Sequence, residues 1–351
     1  MIRNLQALRF VFSFSILVSH LLGHEYSTFG LGEYGVVGFF VLSGFVLSVA
    51  YGRKIEKGEF NTWPFFLKQW AKLYPLHIAT FLLAIFYEHY YGNDYTWFQL
   101  IPPVFLVQSW IPDEQFHLIP NGSSWSLCGF FFFYLVFSFF YVLCHRLSFQ
   151  RLLTMVAVVL LVYVAMVISM PEQWIYPVVY TSPLMRLPDF IIGIVLHRLL
   201  CSKTGEWVKQ KLERCNQFVL TLIEMSVLLS PILAFLIYGE MNAALRCVSL
   251  FWFFVGIQLL LFSWGDSCKG LVTQILHSRM IMFLGSISFE IYLLHMFVVP
   301  SARSMAFRLG FSPVGIVAMV IAVAVTVPLA WVTKKYFVDS IFNWLKPYIL
   351  K

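Results

Sequence analysis

Apolar runs of roughly helix-spanning length alternate with short polar segments along the whole chain, at 5–22, 35–51, 73–90, 125–144, 152–169, 184–199, 218–238, 243–264, 280–299 and 313–333. Each comes near the ~20 residues an α-helix needs to cross hydrocarbon, so the pattern predicts ten transmembrane helices. Residues 95–110 are different: short, rich in aromatics and broken by Pro102-Pro103. They read as interfacial or re-entrant, not as an eleventh span.

Composition agrees with the pattern. At 351 residues, 60% hydrophobic, 12% charged and with a mean hydropathy of +0.79, the chain is too apolar for a water-soluble domain. It reads as an all-α polytopic membrane protein whose helices surround a central cavity. A net charge of +7 would fit nucleic acid, but Lys and Arg concentrate in short segments between apolar runs. With both termini cytoplasmic, 19 of the 24 Lys and Arg fall on the inner side, whereas letting 95–110 span would move most of them outside. That distribution favours a membrane partner over a nucleic acid.

Residues 1–340 read as a single transmembrane domain followed by a short cytoplasmic tail, 341–351. No cleaved leader is expected, because Arg9 interrupts the first apolar run and no small-residue cleavage site follows it. The six cysteines form no CxxC, which argues against both a disulfide framework and a zinc site, and no metal is expected.

The candidate chemistry starts in LQALRFVFSFSILVSHLL. Arg9 and His20 stand eleven residues apart, about three full turns, so they share one face of the first helix with roughly 16 Å between them along its axis. Ionisable groups at such depth are costly in hydrocarbon, so this face should look into a protein-lined or wet cavity. A snorkelling Arg and a carbonyl-bound His form the structural alternative. In the functional reading Arg9 binds an anion at the cytoplasmic side and His20 acts as a general base near the outer end.

Other polar positions carry weaker signals. Gly35, Gly38, Ser43 and Gly44 in the second span suit close helix packing. Lys68 and Lys72, four apart, share a helical face ahead of Tyr74-Pro75 and suit either lipid phosphates or those of a nucleotide-like donor. Arg186 and Asp189, three apart, suit a local ion pair, with Pro188 loosening the helix between them. Glu224 and Arg246 lie deep in neighbouring spans and are expected to pair. Trp125 and Ser126 open the fourth helix and offer groups for a polar acceptor, and His295 is a second intramembrane histidine, near the end of GSISFEIYLLH.

In chain order these pieces resemble the acyltransferase 3 family of integral membrane acyltransferases, which includes O-antigen and exopolysaccharide O-acetylases. The resemblance rests on LQALRF…H, GVVGFFVLSGF, KQWAKLYP, SWSL, RLPDFIIG and GSISFEIYLLH, and it runs from Leu5 to about His295. It implies an inner (plasma) membrane enzyme that takes an acyl group, usually acetyl, from cytoplasmic acyl-CoA as donor substrate, with no permanently bound cofactor. The acceptor would be a sugar hydroxyl of a cell-surface or lipid-linked glycan on the far side.

Carried over by position, Arg9 and His20 fall on the family's essential Arg and His. Trp125, Ser126 and Leu127 fall on its WSL motif, and Arg186 on a later arginine. The sequence departs from the family twice. The arginine pair before Tyr-Pro is here Gln69 and Lys72, and the carboxylate after WSL is Phe130, so the usual orienter of the histidine is missing. Glu25, Asp113 and Glu114 are candidates to replace it.

The expected mechanism runs an acyl-CoA arm along the first helix, its phosphates held by Arg9, Lys68, Lys72 and Tyr74 and its thioester near His20, with Trp125, Ser126, Arg186 and His295 lining the acceptor side. Two other classes fit the same features. One is a transporter or flippase of a polar or lipid-linked substrate. The other is a family member without catalysis that binds donor or glycan.

Overall fold

The computed structural model describes residues 3–23, 30–248, 250–265 and 269–349. The principal helices are α1 (Arg3–Leu22), α2 (Leu31–Glu56), α3 (Thr62–Tyr90), α4 (Trp97–Val104), α5 (Trp125–Arg146), α6 (Phe149–Ile168), α7 (Leu187–Leu200), α8 (Gln217–Leu229), α9 (Trp252–Ser263), α10 (Arg279–Ser286), α11 (Ser288–Arg308), α12 (Ile316–Thr333) and α13 (Asp339–Ile349). Their starts follow local chemistry. Asn61, Ser148 and Asn216 cap α3, α6 and α8 through their side chains, and Thr96 with Gln99 forms a capping box on α4.

Among the described residues eight helices are long and apolar enough to cross a membrane, or nine if α10 and α11, bent by 70° where they meet, count as one span. The one remaining expected span, 184–199, is corrected to the 14-residue α7, preceded by a π-helical turn at Ile175–Tyr180. Pro188 explains where it begins: it occupies the first turn of α7, where the missing N–H costs nothing, so it starts this helix and does not loosen one. Residues 95–110 supply the eight-residue α4 and a 3-10 turn at Gln108–Trp110, neither of spanning length. The expected tail is helical to Ile349.

The organising element is α2, packed on α1, α5, α7 and α9. Without a hydrophobic drive between helices in lipid, such packing depends on close backbone approach. At the crossing of α2 and α7, a Cβ on Gly44 would run into the Phe190 carbonyl and one on Gly193 into that of Val41, so each helix presents its glycine to the other's backbone. Gly35 meets the Phe12 carbonyl of α1 and Gly38 the Phe12 ring, whereas Ser43 faces a cavity. Aromatic packing fills the next layer, with the Phe133 and Phe190 rings stacked at 4.8 Å between α5 and α7. A separate apolar cluster joins α1, α11 and α12 through Leu17, Leu21, Ile291, Leu294, Ala318 and Ala322.

The expected Glu224–Arg246 pair does not form. The Glu224 carboxylate accepts hydrogen bonds from the Gly270 and Thr273 backbone N–H groups at 2.9 and 3.0 Å and from the Thr273 hydroxyl at 2.6 Å, capping the turn that starts at Leu271. Unsatisfied backbone donors at a helix start outcompete a more distant guanidinium. Arg246 lies over the Tyr238 ring instead, 5.3 Å from its centroid.

Candidate active site

A cavity of about 240 Å³ opens between α1, α2, α3, α5 and α11. Its polar wall is Arg9, Ser43, Gln69, Lys72, Ser126, Tyr134 and Tyr292, and its apolar wall includes Phe39, Phe40 and Phe130. Arg9 is held there by its place on α1, one turn before the tightly packed Phe12. Among the described residues its guanidinium has neither a hydrogen-bond nor an ion-pair partner, and the groups that act on its charge are Tyr134 and Glu290. A half-buried cation facing a cavity without a counter-ion in contact is a receptor for an anion.

Lys72 adds a second cation on the same wall, its ammonium 5.5 Å from the Phe342 ring centroid. Lys68 lies close enough to repel Lys72 but is not part of the wall. Tyr74 is also absent from it. Its hydroxyl donates to the Val104 carbonyl at 2.9 Å and its ring stacks on Trp70 at 4.7 Å, so it ties α3 to α4.

His20 is exposed and lines a different cavity, of about 340 Å³, together with Met296, Val299, Pro300 and Arg303. The two linings share no residue, so the continuous passage expected along α1 is interrupted in this conformation. The interruption can be named. Tyr292 closes the Arg9 cavity, its hydroxyl 2.9 Å from the Ser126 hydroxyl and donating to the Ser123 carbonyl at 2.9 Å. His295 lies one turn further along α11, fully buried, with Nδ1 donating to the Tyr292 carbonyl at 2.6 Å. Because a carbonyl only accepts, this bond places the proton on Nδ1 and leaves Nε2 as an acceptor. Nε2 has no hydrogen-bond partner, and the His295 ring lies 5.0 Å from that of His20.

The remaining residues proposed from sequence are structural in their contacts. Trp125 is buried between Phe40 and Tyr180, at 6.0 and 4.9 Å, behind the cavity wall that Ser126 reaches. Arg186 is fully buried and pairs with Asp189 at 2.7 Å, as their spacing suggested; it also donates to the Cys247 carbonyl at 2.6 Å and lies over the Phe40 ring at 5.4 Å. Asp189 in turn accepts from the Trp252 indole.

Phe130, at the position where the resemblance implies a carboxylate, packs on Phe40 at 5.0 Å and leaves that part of the wall apolar. Of the proposed substitutes, Asp113 caps the turn at Glu114–His117 by accepting from the Gln115 N–H, and Glu25 and the Glu114 side chain lie outside the described residues.

Sequence reasoning passed over Tyr292 and Glu290, both within the quoted GSISFEIYLLH run. A carboxylate and a phenol within an apolar segment were the available signal. Neither Lys334, which adjoins Glu290, nor Tyr134 carried a motif that singled it out.

A family model described as an acyltransferase domain matches residues 2–335. The acyltransferase MdmB of Streptomyces mycarofaciens is 30% identical over 301 residues, 80% of this chain and 72% of that protein. Protein 2 in the picA locus of Rhizobium radiobacter is 50% identical over 49 residues, 14% of this chain and 26% of that protein. No solved structure matches.

Proposed function

This chain belongs to the acyltransferase 3 family, and from that premise we propose that it transfers an acyl group, acetyl in the simplest case, from cytoplasmic acyl-CoA to a hydroxyl of a surface or lipid-linked glycan across the inner (plasma) membrane. The observation that carries this reading is the Arg9 guanidinium, which faces a cavity beside Lys72 with no hydrogen-bonding or ion-pairing protein group among the described residues. Phosphates are the natural occupants of such a site, since charge-assisted bonds to Arg and Lys are about twice as strong as neutral ones.

With the phosphates at Arg9 and Lys72, the pantetheine arm points along α1 toward His20. The acceptor hydroxyl enters from the His20 cavity and gives its proton to the imidazole, while its oxygen attacks the thioester carbonyl. The carbon–sulfur bond breaks, the proton returns to the leaving thiolate, and the products are an acetyl ester and CoA-SH. No covalent enzyme intermediate is needed. The layer of Tyr292 and His295 has to part for the thioester to meet the hydroxyl, so each turnover includes an opening step at α11.

The deciding experiment is acetyl-ester formation from labelled acetyl-CoA by purified protein in lipid nanodiscs supplied with membrane glycan. Dependence on both Arg9 and His20 is expected, and undiminished product from His20→Ala at equal protein would remove His20 from the chemistry. Phe130 favours a second reading, a member that binds donor or glycan without turnover. Saturable acetyl-CoA binding without product over a range of glycan acceptors would favour it.

A further inference from the structure

More positive charge gathers at the Arg9 cavity than its wall alone provides. Lys334 lies close enough to repel Lys72, as Arg9 and Lys68 do, and it acts together with Arg9 on the buried carboxylate of Glu290. Lys334 opens the π-helical segment Lys334–Val338 that joins α12 to α13, and this segment packs on α3, the helix that carries Lys68 and Lys72. π-Helical turns are rare and occur frequently at functional sites.

The contacts of Lys334 are slack. Its ammonium stands 3.6 Å from Glu290 Oε1 and 3.6 Å from Asp339 Oδ1, within ion-pair range of both and within normal hydrogen-bond distance of neither. The Glu290 side chain is only 2% exposed, and its Oε2 has no hydrogen-bond partner. A salt bridge that serves only to hold helices together would be expected to close to contact and satisfy both carboxylate oxygens, because an incompletely paired buried charge is costly. Here a partly exposed lysine, outside the cavity lining but within electrostatic reach of Lys72 on its wall, is shared between two acids.

We propose that Lys334 is a further binding residue for the phosphate groups of the anionic donor, and that Glu290 and Asp339 compete with that donor for its ammonium. The proposal rests on the donor reading given above. In it, Lys334 exchanges its loose contacts with the two carboxylates for charge-assisted bonds to phosphate, and Glu290 sets how readily it does so.

The test is acetyl-CoA binding by titration calorimetry on the full-length protein in phosphatidylcholine nanodiscs, for the wild type, K334Q, K334R, E290Q and D339N. K334Q should weaken acetyl-CoA about tenfold or more, K334R should keep most of the affinity, and E290Q and D339N should each tighten it severalfold. The opposite signs are the point, because losing either partner of a purely structural ion pair would act in one direction. S-acetylpantetheine, which has the same arm and thioester but no nucleotide phosphates, should compete equally with wild type and K334Q.

If E290Q weakens acetyl-CoA as K334Q does, or if K334Q affects S-acetylpantetheine and acetyl-CoA alike, the assignment is overturned. In a parallel set of nanodiscs that contain phosphatidylglycerol, a K334Q protein that keeps its acetyl-CoA affinity but loses bound phosphatidylglycerol would identify lipid as the phosphate source and also overturn it. Wild-type protein that does not bind acetyl-CoA would instead refute the donor reading itself.

Discussion

The imidazole rings of His20 and His295 lie 5.0 Å apart, centroid to centroid, and are inclined by 53°, although 275 positions separate them in the chain. Since Nδ1 of His295 is committed to the Tyr292 carbonyl, its Nε2 is the lone pair available on the side of the pair. With Phe130 in place of the family's carboxylate, this acceptor, on a ring 5.0 Å from that of His20, is a described group that can steady a charged His20. Loss of a general base costs about 10²–10⁴ in rate, so His20→Ala should lower acetyl-ester formation by at least about a hundredfold. His295→Gln, which keeps hydrogen-bonding capacity, should retain more kcat than His295→Phe, and steady-state kinetics at matched expression separates the two.

Arg9 is assigned to the donor, so its replacement should act on affinity. Arg9→Ala is expected to raise the KM for acetyl-CoA by about ten- to a hundredfold, the worth of a charge-assisted contact, with a smaller change in kcat. Arg9→Lys should fall between, because an ammonium supplies the charge without the planar fork. An unchanged donor KM in Arg9→Ala would remove this role.

Tyr292 separates the two cavities, and its hydroxyl bonds to Ser126 and to the Ser123 carbonyl hold it in place. Tyr292→Phe should cost about 1–2 kcal/mol of stability through those lost bonds. Tyr292→Ala should join the cavities and expose the fully buried His295, so that His295 becomes reactive toward diethyl pyrocarbonate, read by peptide mass mapping. Protection of His295 in that variant equal to the wild type would mean that other residues form the barrier.

The contact of Gly44 and Gly193 fixes the spacing of α2 and α7, and both neighbours it would strike are backbone carbonyls that cannot turn aside. Gly44→Ala or Gly193→Ala should therefore force the helices apart and lower stability by about 1–3 kcal/mol, as overpacking does elsewhere. Gly256→Ala is the control, since its new methyl would meet only Leu196 side-chain atoms at 3.6 Å. Thermal unfolding in detergent should show a clear fall in Tm for the first two and little change for the third.

Local periodicity decided a good deal of this protein without reference to tertiary structure. Hydrophobic run lengths defined the helices, eleven-residue spacing put Arg9 and His20 on one face of α1, and the three-residue step predicted the Arg186–Asp189 pair, because within one helix the geometry is set by its pitch. The small residues of α2 were legible as packing positions for the same reason, although Ser43 turned out to face the cavity.

What only the tertiary structure decided is which groups from different helices meet. It spent Tyr74 on α4 and Glu224 on the helix start at Leu271, divided the expected passage at Tyr292 and His295, and brought Glu290 to Lys334 across 44 positions. A buried polar group binds whichever partner packing brings within reach, and that partner cannot be read from the spacing of residues along one chain segment.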